Sequence, residues 1–172
     1  MTNLKNYLEA KVNSRGNKNL NYLSSFFSET ELAILSNKTI SIVGTNGKSS
    51  TANNIAMLLK GLDKSYIAFT SPHLFDYKER MTAHKDLNFN EYIQYLENFE
   101  LKNNINLGYF ESTFLIAAKA FLHNDMDYFI CEAGIGGKYD TTSVIQSKTV
   151  VLTSIGLDHT DILGNKITDI LN

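Results

Sequence analysis

The sequence predicts an α/β fold: a parallel sheet flanked by helices, with a phosphate-binding loop (P-loop) on its first strand-to-helix turn. Short runs rich in β-branched and aromatic residues alternate with stretches of helical period along the chain. A turn that combines glycines with a lysine, Gly44–Ser50, separates the first strand run from the helix that follows. Strands that alternate with helices build parallel βαβ units, so we expect a single parallel sheet.

Bulk composition bounds the function classes. The chain has 172 residues, 43% of them hydrophobic, with a net charge of −2, which fits one globular domain without the basic field of a nucleic-acid binder. The lone Cys131 cannot form an internal disulfide, and the amino terminus lacks a signal-peptide core. The longest apolar helical stretch, 114–122, contains Lys119 and is too short to span a bilayer. We expect a soluble, cytoplasmic monomer that binds neither nucleic acid nor membrane.

The elements of the amino-terminal half follow from local signals. Residues 3–12 have apolar side chains at helical spacing, residues 13–21 are rich in Asn, Ser and Gly and predict a loop, and Ser28 with Glu31 predicts the capped start of a helix over 29–36. Thr39–Val43 is a β-branched run and predicts the first strand, and Ser49–Leu62 predicts the helix after the glycine turn.

The second half repeats the alternation after a long irregular connection at 70–87, which contains the only proline. Asn88 and Glu91 resemble a capping box that opens a helix. The remaining predicted elements are a strand at Ser65–Phe69, helices at 88–102 and Glu111–His123, strands at Tyr128–Cys131 and Thr149–Thr153, a loop at Ser154–Gly164, and a final helix at Lys166–Asn172.

These elements divide the chain into a helical lead-in, residues 1–38, and a P-loop α/β core, residues 39–172. The final helix has barely two turns and no C-cap glycine before the sequence stops. Either the terminus frays, or the chain is a fragment whose core is incomplete at its carboxyl end.

The glycine turn carries the clearest chemistry. Backbone N–H groups of a tight turn followed by a helix N-terminus form a concave anion site, to which a lysine adds positive charge and a hydroxyl can face Mg²⁺. Gly44, Gly47, Lys48 and Ser49 supply these groups, although the loop is two residues shorter than the common pattern G-x-x-x-x-G-K-[ST]. The flanking strand and helix favour a phosphate site over a purely structural turn.

Three other predicted strand ends carry candidate ligands, which parallel topology brings to the same edge of the sheet. Thr70–His73 follows the second strand, Glu132 follows the apolar strand Tyr128–Cys131, and Asp158–His159 follows the fourth strand. Hydroxyl and carboxylate oxygens suit Mg²⁺ bound to nucleotide phosphates, whereas histidine is an unusual Mg²⁺ ligand. The alternatives are that Ser71 only starts a turn and that Glu132 is a solvated loop carboxylate.

Other polar and aromatic residues allow a structural interpretation. Gly134, Gly136 and Gly137 can serve only to permit positive φ angles. Tyr109 and Phe110 can be core aromatics. The sequence identifies no partner for three of the histidines, for which surface or packing roles are the simplest interpretation: His73, His84 and His123.

Taken in order, the motifs resemble those of the folylpolyglutamate synthases, in bacteria often also dihydrofolate synthases, within the Mur ligase superfamily. The resemblance covers about residues 40 to 172 and would make the chain the amino-terminal part of such an enzyme. The matching segments are Gly44–Lys48, Ser71–Leu74, Glu79–Arg80, Tyr109–Glu111, Glu132–Gly137 and Gly156–His159.

The resemblance implies a Mur ligase central domain and an ATP-dependent amide ligase with ATP and Mg²⁺ as cofactors. It would transfer the γ-phosphoryl group to a dihydropteroate or folate carboxylate, and the amine of L-glutamate would attack the acyl phosphate. The implied flexible loop between the nucleotide and folate sites is 71–87. The implied sites are Thr45, Asn46, Gly47, Lys48, Ser49 and Ser50 for the ATP phosphates, Ser71, Glu132 and His159 for Mg²⁺, Lys48, Glu132 and His159 for catalysis, and Tyr109, Phe110, Glu111, Tyr139, Asp140 and Thr141 for pteroate.

The sequence departs from this family at several positions. Ser49 replaces a usual glycine, Gly108 a common threonine, and Asp140–Ser143 a usual Asp-Ala-Thr-Asn. From the resemblance we expect this chain to lack the family's carboxylated lysine and carboxyl-terminal glutamate-binding domain, and therefore to be inactive in ligation when isolated. The alternatives are a non-catalytic nucleotide-binding fragment and another Mur-type ligase acting on a cell-wall precursor, which Ser71–His73 and Glu79–Arg80 disfavour.

Overall fold

A computed structural model describes residues 3–12 and 19–171 of the chain. In this part, a sheet in the order β3-β2-β4-β1-β5 forms the centre of the fold. Three of its four strand pairs are parallel, and at one edge β3 runs antiparallel to β2. The strands are β1 (Thr39–Val43), β2 (Tyr66–Phe69), β3 (Met81–Ala83), β4 (Tyr128–Glu132) and β5 (Thr149–Leu152).

Helices cover the sheet, and the predicted α/β class is confirmed. The described α-helices are α1 (Leu4–Glu9), α2 (Leu20–Ser24), α3 (Glu29–Lys38), α4 (Lys48–Gly61), α5 (Ile93–Asn103), α6 (Tyr109–His123), α7 (Thr160–Leu163) and α8 (Ile167–Leu171). Short 3₁₀ helices lie at Tyr77–Arg80, Phe89–Tyr92 and Thr141–Val144. The capping box predicted at Ser28 and Glu31 is present at the start of α3.

The two faces of the sheet bury separate apolar clusters. On one face α4 packs against β1, β2 and β4 through Ala52, Ala56 and Leu59. On the other face α6 lies at the centre of a larger cluster, in which Phe114 and Phe121 contact the Phe129 ring of β4. Because α1, α3 and α5 pack around α6, its side chains from residue 111 to residue 121 are all buried.

Strand register sets the functional edge. Ile42 of β1 is the partner of Glu132 in β4, and Val43 is the partner of Leu152 in β5. The loops that follow these three strands therefore start at the same level. From β1 the chain passes through α4 to β2, and from β4 it passes to β5 on the other side of β1. The connections that follow β1 and β4 thus lead to opposite sides of the sheet. Between two such connections a crevice forms at the carboxyl ends of the strands, where ligands bind in parallel α/β sheets.

Several predicted elements need correction. Part of the loop predicted at 13–21 is α2, while 13–18 lie outside the described residues. The irregular connection 70–87 contains the antiparallel strand β3, and the loop 154–164 contains α7. Asn88 accepts the Asn90 N–H and opens a 3₁₀ turn before α5, rather than an α-helix directly. These elements are three to five residues long, too short for a periodic signal in the sequence.

Candidate nucleotide and metal site with an adjoining cavity

The glycine turn lies between β1 and α4, as the sequence predicts. Gly44 and Gly47 have φ angles of 133° and 85°, in the region that side chains with a Cβ rarely adopt. Gly47 is the N-cap of α4, and with no capping side chain the N–H groups of the first helical turn face the loop. Lys48 Nζ donates to the carbonyl oxygens of Gly44 and Thr45 at 2.9 and 3.2 Å. A cation and a helix N-terminus thus meet at one concave turn.

The segment after β5 holds this turn in place. The Thr45 N–H donates to the Ser154 carbonyl at 2.7 Å, and the Asn46 N–H donates to Ser154 Oγ at 3.0 Å. Thr45 Oγ1 accepts the N–H of Gly156 at 2.9 Å. The phosphate loop and the segment that leads to Asp158 and His159 therefore form one hydrogen-bonded unit.

Glu132 lies at the centre of the edge. Only 1% of the residue is exposed, so the alternative of a solvated loop carboxylate is wrong. Ser49 Oγ donates to Glu132 Oε1 at 2.9 Å, and the Ser71 N–H donates to Oε2 at 3.1 Å. Burial raises the pKa of Glu132, while these two hydrogen bonds and the charges of Lys48 and Arg80 oppose the shift. One carboxylate thereby joins the phosphate loop, the end of β2 and the end of β4.

The three residues assigned to Mg²⁺ are only partly assembled. Ser71 and Glu132 are in contact, but His159 is exposed, has a φ angle of 47° and lies with Nε2 3.9 Å from Asp158 Oδ2. Within residues 3–12 and 19–171, no group of three or more His, Cys, Asp or Glu side chains is arranged to hold a metal ion. The oxygen groups that meet here are instead the Glu132 carboxylate and the Ser49 hydroxyl, which suit Mg²⁺ in chemistry.

A cavity of about 440 Å³ begins at Ser71, whose backbone N–H donates to Glu132. It extends from Ser71 along the loop after β2 to the first turn of α6, and the loop after Glu132 closes one side. Tyr109 and Phe110 line it, so these rings are not simply core aromatics. Its lining residues are Val12, Ser71–His73, Arg80, Tyr109, Phe110, Gly134 and Ile135.

The other residues assigned to pteroate have different surroundings. Asp140 is buried and accepts the N–H groups of Gly134 and Ile135 at 3.1 Å, as well as both the N–H and the hydroxyl of Thr142. It therefore shapes the cavity wall. Glu111 is buried on α6 and Thr141 in a 3₁₀ turn, whereas Tyr139 is 81% exposed.

Arg80 and His73 form a pair that the sequence does not reveal. Arg80 Nε donates to His73 Nδ1 at 2.8 Å, and the His73 ring stacks on Tyr109 at 5.9 Å between centroids. The surface or packing role expected for His73 is therefore incomplete, because it also holds a cation at the cavity. The other two histidines keep packing roles: His84 contacts Tyr66, and His123 contacts the rings of Tyr92 and Tyr95. In the sequence, the only indication of this pair was the presence of both residues in motifs, Ser71–His73 and Glu79–Arg80, within the same connection.

A parallel α/β sheet with a glycine–lysine loop after β1 and a buried acid at the end of β4 defines a P-loop-type domain. The family model described as Mur ligase middle domain matches residues 42–172. The chain therefore belongs to the Mur ligase family through this middle domain. Within the described residues, no helix is long and apolar enough to cross a membrane.

Relatives named for folate chemistry share this domain. The chain is 37% identical over 166 residues to the dihydrofolate synthase/folylpolyglutamate synthase of Buchnera aphidicola from Schizaphis graminum, covering 92% of this chain and 38% of the relative. It matches Escherichia coli FolC in complex with DHPP and ADP with a TM-score of 0.85 and 29% identity, covering 98% of this chain and 42% of that one. A bifunctional folylpolyglutamate synthase/dihydrofolate synthase with Mn, AMPPNP and L-glutamate bound matches with a TM-score of 0.84 and 29% identity, over 99% of this chain and 42% of that chain.

Proposed function

We propose that the chain supplies the nucleotide, metal and pteroate sites of an ATP-dependent ligase that adds L-glutamate to dihydropteroate or folate. The observation that carries the proposal is the position of Glu132, hydrogen-bonded to Ser49 of the phosphate loop and to Ser71 beside the cavity. Glu132 thus links the phosphate loop, through Ser49, to the aromatic-lined cavity, through Ser71. Because the chain spans 38% of the Buchnera relative, ligation is a proposal about the whole protein.

The proximity of the two sites supports the following reaction as part of the proposal. The γ-phosphoryl group of ATP passes to the pteroate carboxylate, with ADP as the leaving group. The amine of L-glutamate then attacks the acyl phosphate carbon, phosphate leaves and an amide bond forms. Residues 45–50 bind the phosphates, and Lys48 neutralises charge on the transferred group. Such phosphoryl transfer depends chiefly on positioning, which the fixed loop and adjoining cavity provide.

The residues present fit Mg²⁺. The Ser49 hydroxyl and the buried Glu132 carboxylate meet at 2.9 Å, and Ser71 adjoins the same carboxylate through its backbone N–H. We assign the Ser71 hydroxyl to the ion on this proximity, and a bound cation would stabilise the buried carboxylate. A divalent ion held there would neutralise phosphate charge during transfer. We keep His159 as a ligand in this proposal, since the hydrogen bonds between Thr45 and Gly156 anchor its segment to the phosphate loop.

The cavity fits an aromatic acid. Tyr109 and Phe110 provide ring faces for a pterin or benzoyl group, and the Asp140-ordered loop at Gly134 and Ile135 forms the opposite wall. We assign pteroate contacts to these groups, with Glu111, Tyr139 and Thr141 at the periphery. In this arrangement the carboxylate end of the substrate lies toward Ser71 and Glu132.

Calorimetric titration of MgATP into the chain tests the nucleotide assignment. We expect Lys48→Ala to weaken binding by about tenfold or more, because it removes the cation of the phosphate loop. Lys60→Ala, which removes an exposed lysine from the other end of α4, is the matched control and should bind as the wild type does. Equal affinity in wild type and Lys48→Ala would sink the phosphate-loop assignment.

A further inference from the structure

The motifs Ser71–His73 and Glu79–Arg80 converge at the cavity, and the proposed function leaves His73 and Arg80 without a role. We propose that Arg80 is the residue that binds the carboxylate of the pteroate substrate, and that His73 positions it. This inference rests on the proposed function and deepens it by assigning recognition of the reacting group. Arg80 would contact the acid that is to be phosphorylated, whereas His73 acts through Arg80.

The backbone fixes where Arg80 begins. Arg80 directly precedes β3, and the first residue of β3, Met81, pairs with the last residue of β2, Phe69. Arg80 therefore lies at the carboxyl end of β2. The Thr70 N–H donates to the Arg80 carbonyl at 3.0 Å, and Thr70 Oγ1 donates to the Glu79 carbonyl at 3.1 Å. The Glu79 carboxylate accepts the N–H groups of Leu74, Phe75 and Asp76, which closes the intervening loop.

The Arg80 side chain is held through its Nε group and its guanidinium face, whereas its two Nη groups are not held. Its Nε donates to His73 Nδ1 at 2.8 Å, and its Cζ lies 5.1 Å from the centroid of the Tyr109 ring. Among the described residues, neither Nη nitrogen donates a hydrogen bond, although the residue is half-buried and lines the cavity. Four N–H donors of a planar fork are therefore available, and that fork matches a carboxylate in geometry.

Charge decides the class of group that fits. Arg80 lies within electrostatic reach of the buried Glu132, and burial lowers the pKa of its guanidinium, which nevertheless stays charged. An anion placed beside Glu132 without a cation would be repelled. Arg80 offsets this repulsion at the end of the cavity where the phosphate loop and Glu132 lie, so a carboxylate is the expected partner there and a neutral group is not.

His73 contributes through its tautomer. Since Nδ1 accepts the Arg80 N–H, the ring proton lies on Nε2 in this arrangement. Stacking on Tyr109 fixes the ring plane, so the pair His73 and Tyr109 holds the guanidinium against two surfaces. An asparagine at residue 73 could offer an amide oxygen to Arg80, whereas an alanine could not.

A two-by-two titration tests the inference. Pteroate and its neutral carboxamide are each titrated into the wild-type chain and into Arg80→Gln. We expect pteroate to bind about tenfold or more weakly to Arg80→Gln, while carboxamide binding changes little, because only the carboxylate engages the guanidinium. Lys78→Gln removes an exposed positive charge from the same 3₁₀ turn and should leave both affinities unchanged. His73→Asn should retain more of the pteroate affinity than His73→Ala.

The outcomes separate the two levels of the proposal. If Arg80→Gln weakens both ligands equally while its circular dichroism matches the wild type, Arg80 shapes the cavity and the inference is overturned alone. If pteroate binds equally to both proteins, the inference is likewise overturned and the proposed function stands. If neither ligand binds the wild-type chain, the pteroate assignment falls and this inference falls with it.

Discussion

Burial of the Glu132 carboxylate lowers the stability of the fold. Glu132 is a buried carboxylate that, among the described residues, has no cation within ion-pair distance, and its two hydrogen-bond donors are Ser49 and the Ser71 backbone. Burial of a carboxylate without a counter-charge disfavours its ionised form. A perturbed acid in a cleft between a phosphate loop and a cavity is typical of a functional site.

The destabilising effect of the buried Glu132 carboxylate can be measured from the pH dependence of the free energy of unfolding. Because the pKa of Glu132 is raised in the folded state, the native chain binds more protons than the unfolded chain between the ordinary carboxyl value of about 4.3 and the raised value. Stability therefore falls as the pH rises through that window. Glu132→Gln lacks this titration, so the unfolding free energy of the wild type should decline relative to that of the variant.

Metal-free urea denaturation between pH 4 and pH 8 measures the effect. Glu29→Gln, which alters an exposed carboxylate at the start of α3, serves as control and should follow the wild-type profile. Parallel curves for the wild type and Glu132→Gln over the whole range would show that Glu132 does not carry the raised pKa.

At the scale of elements, the phosphate loop depends on its contact with the segment after β5. Gly44 combines a positive φ with a position where an added Cβ would lie 2.7 Å from the Ser154 carbonyl oxygen. Neither the backbone angle nor the neighbouring main chain can readily accommodate a side chain there. The shape of the loop is thus set by two strands, β1 and β5, rather than by its own sequence alone.

Alanine at two glycines separates these effects. Gly44→Ala should lower the free energy of unfolding by about 1–3 kcal/mol and weaken binding of the ATP analogue AMPPCP, because both strain and a clash arise in the loop. Gly61→Ala lies at the end of α4 with open space around the added carbon and should stabilise the chain by up to about 1 kcal/mol. Urea denaturation and calorimetry measure both. Similar behaviour of the two variants would contradict the packing account.

Some elements of the fold could be predicted from the sequence and others could not. The unit β1–loop–α4 is encoded locally, by a β-branched run, glycines and an amphipathic helix, and the structure contains it. The antiparallel pairing of β2 with β3 is not encoded locally. A three-residue strand has no periodic signal, and its pairing depends on contacts between distant residues. Arg80 was therefore visible as part of a motif, but its approach to His73 was not. Asp140 was assigned as a ligand, whereas its hydrogen bonds show that it orders the loop at 134–135.

For the whole molecule, a single sheet edge places both proposed ligand sites. Aligned register brings the ends of β1, β4 and β5 to one level, and α6 presents Tyr109 and Phe110 beside them. Because α6 packs on one face of the sheet and α4, which follows the phosphate loop, packs on the other, the cavity wall and the phosphate loop rest on the same sheet. We therefore expect two neighbouring sites that can be filled together, as a reaction between nucleotide and acid requires.

The most direct test is a calorimetric titration of dihydropteroate into the chain, without nucleotide and with saturating Mg-AMPPCP. We expect one dihydropteroate to bind per chain in both cases, because no residue of the phosphate loop lines the cavity and Glu132 only links the two. Absence of dihydropteroate binding, or its displacement by Mg-AMPPCP, would contradict the claim that this sheet edge binds nucleotide and pteroate side by side.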